Sequence, residues 1–445
     1  MGADQRMRAR NRDAGEGGAG KRMGMTRTWR RGAVILTLVA FVLGFVGTFF
    51  TLNLTQPAAA DAATVAFEVR PDDGAGDVAS RLQEKGLIRS ALVFQMAATT
   101  RNLGAHLQTG IYELSAGMTM NDILARLGAG HPDQPLIIVP PGKVLVQIPP
   151  GARVSEMPAF FGGLAHFNAK NFMGIVSTGT LPGGKKLSDQ YWYVPAKQPH
   201  TYFALEGYIL PGNYFFDTDA DEVAAAQGLL DALGEQLCPG PSDHPDAYLH
   251  DHAQCQAHAA TVGPKQVSIF TEMNQRYHTT NDVTGLYDTL TLASLVVRIS
   301  SRDADAPAVA DVYYNRYLAA RTKSGLSPSG ELVAYMDAPA TAEYAAESDD
   351  PPPDGAWWQP LTVPPATIET DNPYNTTVPD TTGLMPGPIA APTWAAITAA
   401  ASAGDPAPSA YFYVVADRCG QAHLAKTQAD FLYQAQRAAA GCFNT

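Results

Sequence analysis

In a 445-residue chain with 43 acidic residues, Glu206 stands out for its surroundings. It is the sole charged residue of Tyr202 to Phe216 (YFALEGYILPGNYFF), among Tyr202, Phe203, Leu205, Tyr208, Ile209, Leu210 and Tyr214. Burial penalises the ionised form of a carboxyl, so a glutamate in this setting has a raised pKa and can donate a proton near neutral pH. Cleavage of a glycosidic bond asks for such an acid, and neighbouring rings such as Tyr208 and Tyr214 offer faces on which sugars stack. A buried glutamate held by hydrogen bonds as a structural residue satisfies the same pattern.

A second cluster lies between Cys238 and His258, where His250, His252 and Cys255 have donor types that suit zinc. Their spacing matches no standard zinc motif, and Pro239, Pro241 and Pro245 make the segment a loop. The four cysteines, Cys238, Cys255, Cys419 and Cys442, allow three connectivities. Pairing within each local couple, closing two loops, is the preferred expectation, with no metal and no cofactor.

The elements that must position Glu206 read as α+β. Thr64 to Val69 alternates as a strand, Asp77 to Leu87 and Ser90 to Arg101 read as helices, Gly110 to Leu114 as a strand, and Thr119 caps a helix to Leu127. Val144 to Ile148, a Pro-Pro-Gly turn and the apolar run Val154 to Phe161 repeat that outline, which predicts small modules at 64–130 and 143–180 packing against each other. From residue 200 to 445 the pattern predicts a larger mixed domain. Its helices are Asp221 to Leu237, Pro264 to Tyr277, a buried Leu286 to Ile299, and Pro307 to Ala320 with proline in its first turn. A strand at Ala410 to Val415 and a terminal helix from Gln428 close the chain. Insertions are expected at 238–263 and 338–372, the latter read as a Pro-rich acidic loop rather than part of a site.

Charge sets the compartment. The net charge is −12, but residues 1 to 31 hold nine basic residues against three acidic ones, a balance of +6, leaving −18 for the rest. Ala33 to Leu54 carries no charge over 22 positions, about 33 Å of helix against a hydrocarbon core of roughly 30 Å. A basic tail at 1–32 before one transmembrane helix at 33–54 predicts a cytoplasmic N-terminus and an extracytoplasmic remainder. A cleaved signal peptide, with Ala58 to Ala60 at its end, is the alternative. So acidic a remainder offers no bulk charge attraction to nucleic acid, which is not expected as a partner.

Five motifs then occur in order: Leu205-Glu206-Gly207-Tyr208 with Pro211 and Tyr214; Leu290-Thr291-Leu292-Ala293-Ser294; Val312-Tyr313-Tyr314-Asn315-Arg316; Asn372-Pro373-Tyr374-Asn375-Thr376; and Gly383-Leu384-Met385-Pro386-Gly387-Pro388-Ile389. In order and rough spacing they resemble the MltG/YceG-like endolytic murein transglycosylases, and the likeness extends through the two modules, which look LysM-like, and the anchor. The resemblance implies that Glu206 protonates the oxygen between N-acetylmuramic acid and N-acetylglucosamine within a peptidoglycan strand. The same residue would then take the proton of the C6 hydroxyl as it closes on C1, leaving a 1,6-anhydro end. It also implies that Tyr374 and Asn375 line a glycan groove and that Asn315 and Arg316 support the substrate site, in a cell-membrane protein working beside wall-synthesis or division proteins. The chain departs from the family at Val297 and Ile299, where acids are usual, at Gly212-Asn213 in place of Asp-Thr, and at Ser327 to Gly330. Those losses keep open a second reading, a weakened homologue that binds peptidoglycan as a scaffold.

Overall fold

Alternation decides the first sheet. Strand β1 (Thr64–Val69) buries Phe67 and Val69, and pairs antiparallel with β2 (Gly110–Ser115), from Thr64 opposite Ser115 to Val69 opposite Gly110. Between the strands run α1 (Ala75–Glu84) and α2 (Ala91–Thr100), and after them α3 (Met120–Gly128), capped by a reciprocal Thr119–Asp122 pair. Val78 and Leu82 of α1, Phe94 of α2, and Ile123, Leu124 and Leu127 of α3 close over Tyr112 and Leu114 in one core. The described residues up to 138 form one compact unit by contacts and those from 139 on another.

This computed structural model describes residues 54–59, 63–134, 136–198, 200–241, 244, 247, 250–259, 268–353, 355–362, 364–368, 370–381, 383–404 and 409–442. The expected tail at 1–32 and all but the last residue of the expected span at 33–54 lie outside the described residues. Among those described, no helix is long and apolar enough to cross a membrane.

The second unit opens with β3 (Lys143–Ile148), followed by a short α4 (Met157–Phe160) and α5 (Ala169–Thr178). The 143–180 segment differs from the expected separate module. Its strand pairs antiparallel with β4 (Gly212–Asp217), Lys143 opposite Asp217 and Ile148 opposite Gly212. Val146, Ile148, Phe161 and Phe172 share one core with Leu205, Ile209 and Phe216. The repeated outline reflected a similar local pattern, whereas apolar faces of α4 and α5 are satisfied by the following helices.

Helix α6 (Glu222–Leu237) starts on the Asp221 carboxylate, which accepts from the Val223 and Ala224 N–H groups. After α7 (His252–Ala259) and α8 (Ile269–Tyr277) comes the long α9 (Asp282–Ile299), buried along Leu286, Leu290, Leu292, Ala293 and Leu295. The expected start of α8 at Pro264 falls outside the described residues. Helix α10 (Ala306–Ala320) carries Pro307 in its first turn. The segment 338–372, expected as a loop, instead contains α11 (Pro339–Asp349), an 11-residue helix that buries Tyr344 and Ala345. Proline is compatible with a first turn and alanine is the strongest helix former, so PATAEYAAESD is a good helix despite the prolines beyond it. Helix α12 (Trp394–Ser402), the hairpin β5 (Tyr413–Ala416) and β6 (Ala422–Ala425), and α13 (Gln428–Ala440) complete the chain.

The disulfides are Cys238–Cys255 and Cys419–Cys442, the local pairing. Cys255 is thereby removed from the zinc candidate. His252 Nε2 lies 2.9 Å from the Asp282 carboxylate and its ring stacks on Trp192. His250 Nδ1 lies 2.9 Å from the Gln190 carbonyl.

Candidate active site

Glu206 is 3% exposed, in the turn that follows α5 and leads into β4. The next residue makes the turn possible. Gly207 has φ +80°, and a Cβ there would sit 2.3 Å from the Pro388 Cβ. No side chain fits either condition. The segment around Pro388 is itself fixed by α9. The Ser294 hydroxyl accepts from the Ile389 N–H at 3.0 Å, and the Tyr287 hydroxyl donates to the Pro386 carbonyl at 2.8 Å. A Cβ at Gly387 would collide with the Tyr287 hydroxyl at 2.3 Å and crowd that of Tyr374 at 3.1 Å. Four of the five sequence motifs therefore meet around Glu206.

Two donors reach the carboxyl. The Val154 N–H lies 3.1 Å from Oε1 and 3.4 Å from Oε2, and the Tyr344 hydroxyl donates to Oε2 at 3.2 Å. Burial pushes the Glu206 pKa up to about 7 against the pull of the Arg153 charge, the Val154 N–H and the Tyr344 hydroxyl, each of which favours the carboxylate. Val154 is held because the Gly151 N–H donates to the Ala391 carbonyl at 2.9 Å and the Ala391 N–H to the Ala152 carbonyl at 2.7 Å. Tyr344 is held by α11 and by ring contacts with Tyr374 at 5.0 Å and Tyr202 at 5.8 Å.

Arg153 ties these parts together and is wholly buried. Its Nη1 pairs with Glu347 at 2.7 Å, and its Nη2 donates to the Tyr344 carbonyl and the Ser348 hydroxyl. The guanidinium carbon lies 4.3 Å from the Tyr344 ring centre and 4.5 Å from that of Trp357. Glu347 also accepts the Trp358 and Gln359 N–H groups at 2.9 and 2.7 Å. One buried cation thus fastens the loop carrying Val154 to the helix carrying Tyr344, with every carboxylate oxygen of its partner satisfied.

The expected substrate residues separate into groups. Tyr374 is buried, 1% exposed, and packs its ring against Tyr344 and Tyr202. Burial drives its pKa up. Tyr208 is fully buried, its hydroxyl without a hydrogen-bond partner among the described residues. Tyr214 is half-buried on β4 and donates to the Leu210 carbonyl at 2.6 Å. Asn375 is fully buried. Its amide donates to the Pro365 and Ile368 carbonyls and its oxygen accepts from Thr377, so it braces a loop.

Asn315 and Arg316 belong elsewhere. Asn315 donates to the Ser409 and Tyr411 carbonyls, and Arg316 to those of Phe412 and Tyr335, which anchors the C-terminal hairpin. The Asn315 amide also reaches the Ser409 hydroxyl and the Arg316 guanidinium lies 3.7 Å from the Asp337 carboxylate, and among the described residues neither bonds to Glu206.

Arg153, Tyr344 and Glu347 are the site residues that sequence reasoning missed. For Arg153 the available signal was a lone cation opening the apolar run Val154 to Phe161. Asn372, quoted only as part of a motif, donates to the Tyr202 hydroxyl at 2.7 Å and to the Asp349 carboxylate at 2.9 Å, and accepts the Tyr374 N–H.

An open groove of about 550 Å³ includes Pro150, a few residues before Val154, and Pro211, a few residues after Glu206, in its lining. It is lined by Gln147, Pro150, Pro211, Asn213, Asp303 and Trp394 among others. An aromatic face among amides and a carboxylate suits a sugar better than an apolar ligand.

A buried carboxyl with its pKa pushed up to about 7, held by a backbone N–H and a tyrosine hydroxyl, is the type of group that serves as an acid catalyst. The chain belongs to the YceG-like family, whose model matches residues 67–437. It is 23% identical over 398 residues to the endolytic murein transglycosylase of Streptococcus pneumoniae serotype 2, strain D39, covering 87% of this chain and 61% of that protein. It is 23% identical over 382 residues to the endolytic murein transglycosylase of Bacillus subtilis strain 168, covering 84% of this chain and 85% of that one. A crystal structure of a YceG-like protein from Listeria monocytogenes covers 84% of this chain and all of its own, at 18% identity and a TM-score of 0.41. This chain spans less than two thirds of the length of the pneumococcal relative.

Proposed function

We propose that this chain is a membrane-anchored endolytic murein transglycosylase that cuts within nascent peptidoglycan strands and so limits glycan length. The observation that carries the reading is Glu206 itself, a buried carboxyl with its pKa pushed up to about 7, in a family whose relatives bear that activity in their names. As the acid, Glu206 gives its proton to the glycosidic oxygen, and the bond from that oxygen to the muramic acid C1 breaks. The C6 oxygen then bonds to C1 and its proton passes to the Glu206 carboxylate, which regenerates the acid. One carboxyl suffices because the nucleophile is internal to the sugar, whereas hydrolases need a second carboxylate to activate or replace water.

Tyr344 stabilises the carboxylate between the two steps, and Val154 keeps the group pointed in one direction. At 3% exposure Glu206 presents little of its carboxyl to a substrate, while proton transfer demands an approach to roughly 3 Å. Side chains that cover the carboxyl must therefore shift when a strand enters, with the Tyr344 contact kept. The groove lined by Asn213 and Trp394 is the entry surface we assign to the strand.

The neutral run at 33–54 and the basic residues before it support a single membrane span with the catalytic unit outside the cytoplasm. Two disulfides favour the same side. The strand, two helices and strand of 64–115 support a LysM-like unit that would hold glycan near the membrane-bound wall-synthesis machinery.

The test is to incubate the full-length chain with purified sacculi and to analyse the products by mass spectrometry. Internal cleavage to 1,6-anhydromuramic ends by the wild type, and none by Glu206→Gln, is expected. Intact glycan binding without anhydro products from the wild type would replace this reading with that of a peptidoglycan-binding scaffold.

A further inference from the structure

A second cavity, of about 510 Å³, opens between α9, α10, α11 and the C-terminal hairpin. Its wall carries four charged side chains, Arg298, Arg316, Asp337 and Glu343, together with Tyr313 and Tyr413. Two of the charges are already matched, because Arg316 lies 3.7 Å from Asp337 and spends its remaining donors on backbone carbonyls. The other two feel each other's charge without being in contact. Among the described residues no hydrogen bond or ion pair engages Arg298 or Glu343, and the Arg298 Nε is buried without a partner.

Arg298 is nevertheless held in place. Its guanidinium carbon lies 3.7 Å from the Trp358 ring centre. Burial lowers its pKa and raises that of Glu343, while each charge favours the ionised form of the other. Opposite charges that line one cavity without touching suit a ligand bearing a carboxylate and an amine. Aromatic walls add apolar contact for the chain between them.

The position relative to Glu206 narrows the ligand. Glu343 immediately precedes Tyr344, whose hydroxyl reaches Glu206. The Trp358 ring that carries Arg298 lies 6.3 Å from the Tyr344 ring. The cavity is therefore one layer of side chains from the carboxyl. A peptide on the muramic acid lactyl group spans that layer with a few residues, at about 3.4 Å each.

We propose that this cavity is a subsite for the peptide arm of peptidoglycan, with Arg298 taking a carboxylate and Glu343 the side-chain amine. The inference rests on the glycan-cleaving reading and adds a selection to it: strands are engaged where muramic acid still bears its peptide.

Calorimetric titration of the full chain with a synthetic stem-type pentapeptide, having free carboxylates and one side-chain amine, tests it. Wild type and Glu206→Gln should bind alike, because the subsite does not use the acid. Arg298→Gln should weaken binding about tenfold or more. Glu343→Gln should weaken it too, but should leave the affinity for the side-chain-acetylated peptide unchanged. Thermal melts check the fold of both variants, and Glu343→Gln decides the matter if Arg298→Gln melts early. Equal affinity of wild type and a folded Arg298→Gln, or no binding by wild type, overturns the subsite. Sacculus digestion in parallel separates the two ideas. Cleavage without peptide binding removes only the subsite, and peptide binding without cleavage removes only the enzyme reading.

Discussion

Glu206 stores a pH dependence that can be read in stability as well as in rate. Its folded pKa of about 7 lies above the ordinary value of 4.5. The protonated fold is therefore favoured below pH 4.5, and that stabilisation is lost as pH rises through 7. At about 1.4 kcal/mol per unit the shift amounts to roughly 3 kcal/mol. Glu206→Gln, neutral at every pH, should match wild type near pH 4.5 and exceed it by up to roughly 3 kcal/mol at pH 8, measured by urea unfolding, while losing at least about 10³-fold in activity. A variant whose stability curve runs parallel to wild type from pH 4 to 8 would mean that the carboxyl is not buried as described. Tyr344→Phe removes one donor to the carboxylate, and the alkaline limb of the pH–rate profile should move up by about one unit. An unmoved limb would show that the Tyr344 hydroxyl does not engage the acid. The apolar neighbours of Glu206 are adjacent in sequence, which is why its raised pKa was legible there. Tyr344 is 138 positions away and Val154 is 52, distances over which residue types carry no sign of contact.

Helix α11 shows what sequence patterning hides at the scale of elements. Its composition is helical, but the acids and prolines of 347–353 suggested a solvated loop, and only tertiary packing turns Glu347 inward to Arg153. Elements with strong periodicity or caps were legible to within a few residues. Examples are α3 behind Thr119, α6 behind Asp221 and the apolar α9. The expected second module failed because β3 finds its partner 66 positions on, in β4, and not within its own segment. Arg153→Met leaves Glu347 buried beside Tyr344 without its cation, which should cost about 3–5 kcal/mol in chemical unfolding. A loss under 1 kcal/mol would mean that the pair does not fasten α11. Gly207→Ala tests the junction of motifs from the other side. Its left-handed backbone and the Pro388 contact should cost roughly 3 kcal/mol or more, and a neutral result would contradict the approach of the two turns.

At the scale of the molecule, the described residues form two large cores and a small third cluster of Ala319, Val333, Phe412, Tyr413 and Ala425. The first unit encloses Phe67, Leu82, Phe94, Tyr112 and Leu124, while the second gathers β3, β4 and the helices around α9. Every residue placed at Glu206, and both cavities near it, belong to 139–445. Both disulfides do too, closing loops with separations of 17 and 23, so reduction should remove about 3 kcal/mol per bond from that unit and nothing from the other. Differential scanning calorimetry of the full chain should then give two transitions, of which the reductant lowers one. The chain 139–445 alone should reproduce the reductant-sensitive transition and retain the pH dependence that Glu206 sets. A single transition, or a 139–445 fragment that fails to melt cooperatively, would mean that the two units stabilise each other and that the first is more than a tether for the second.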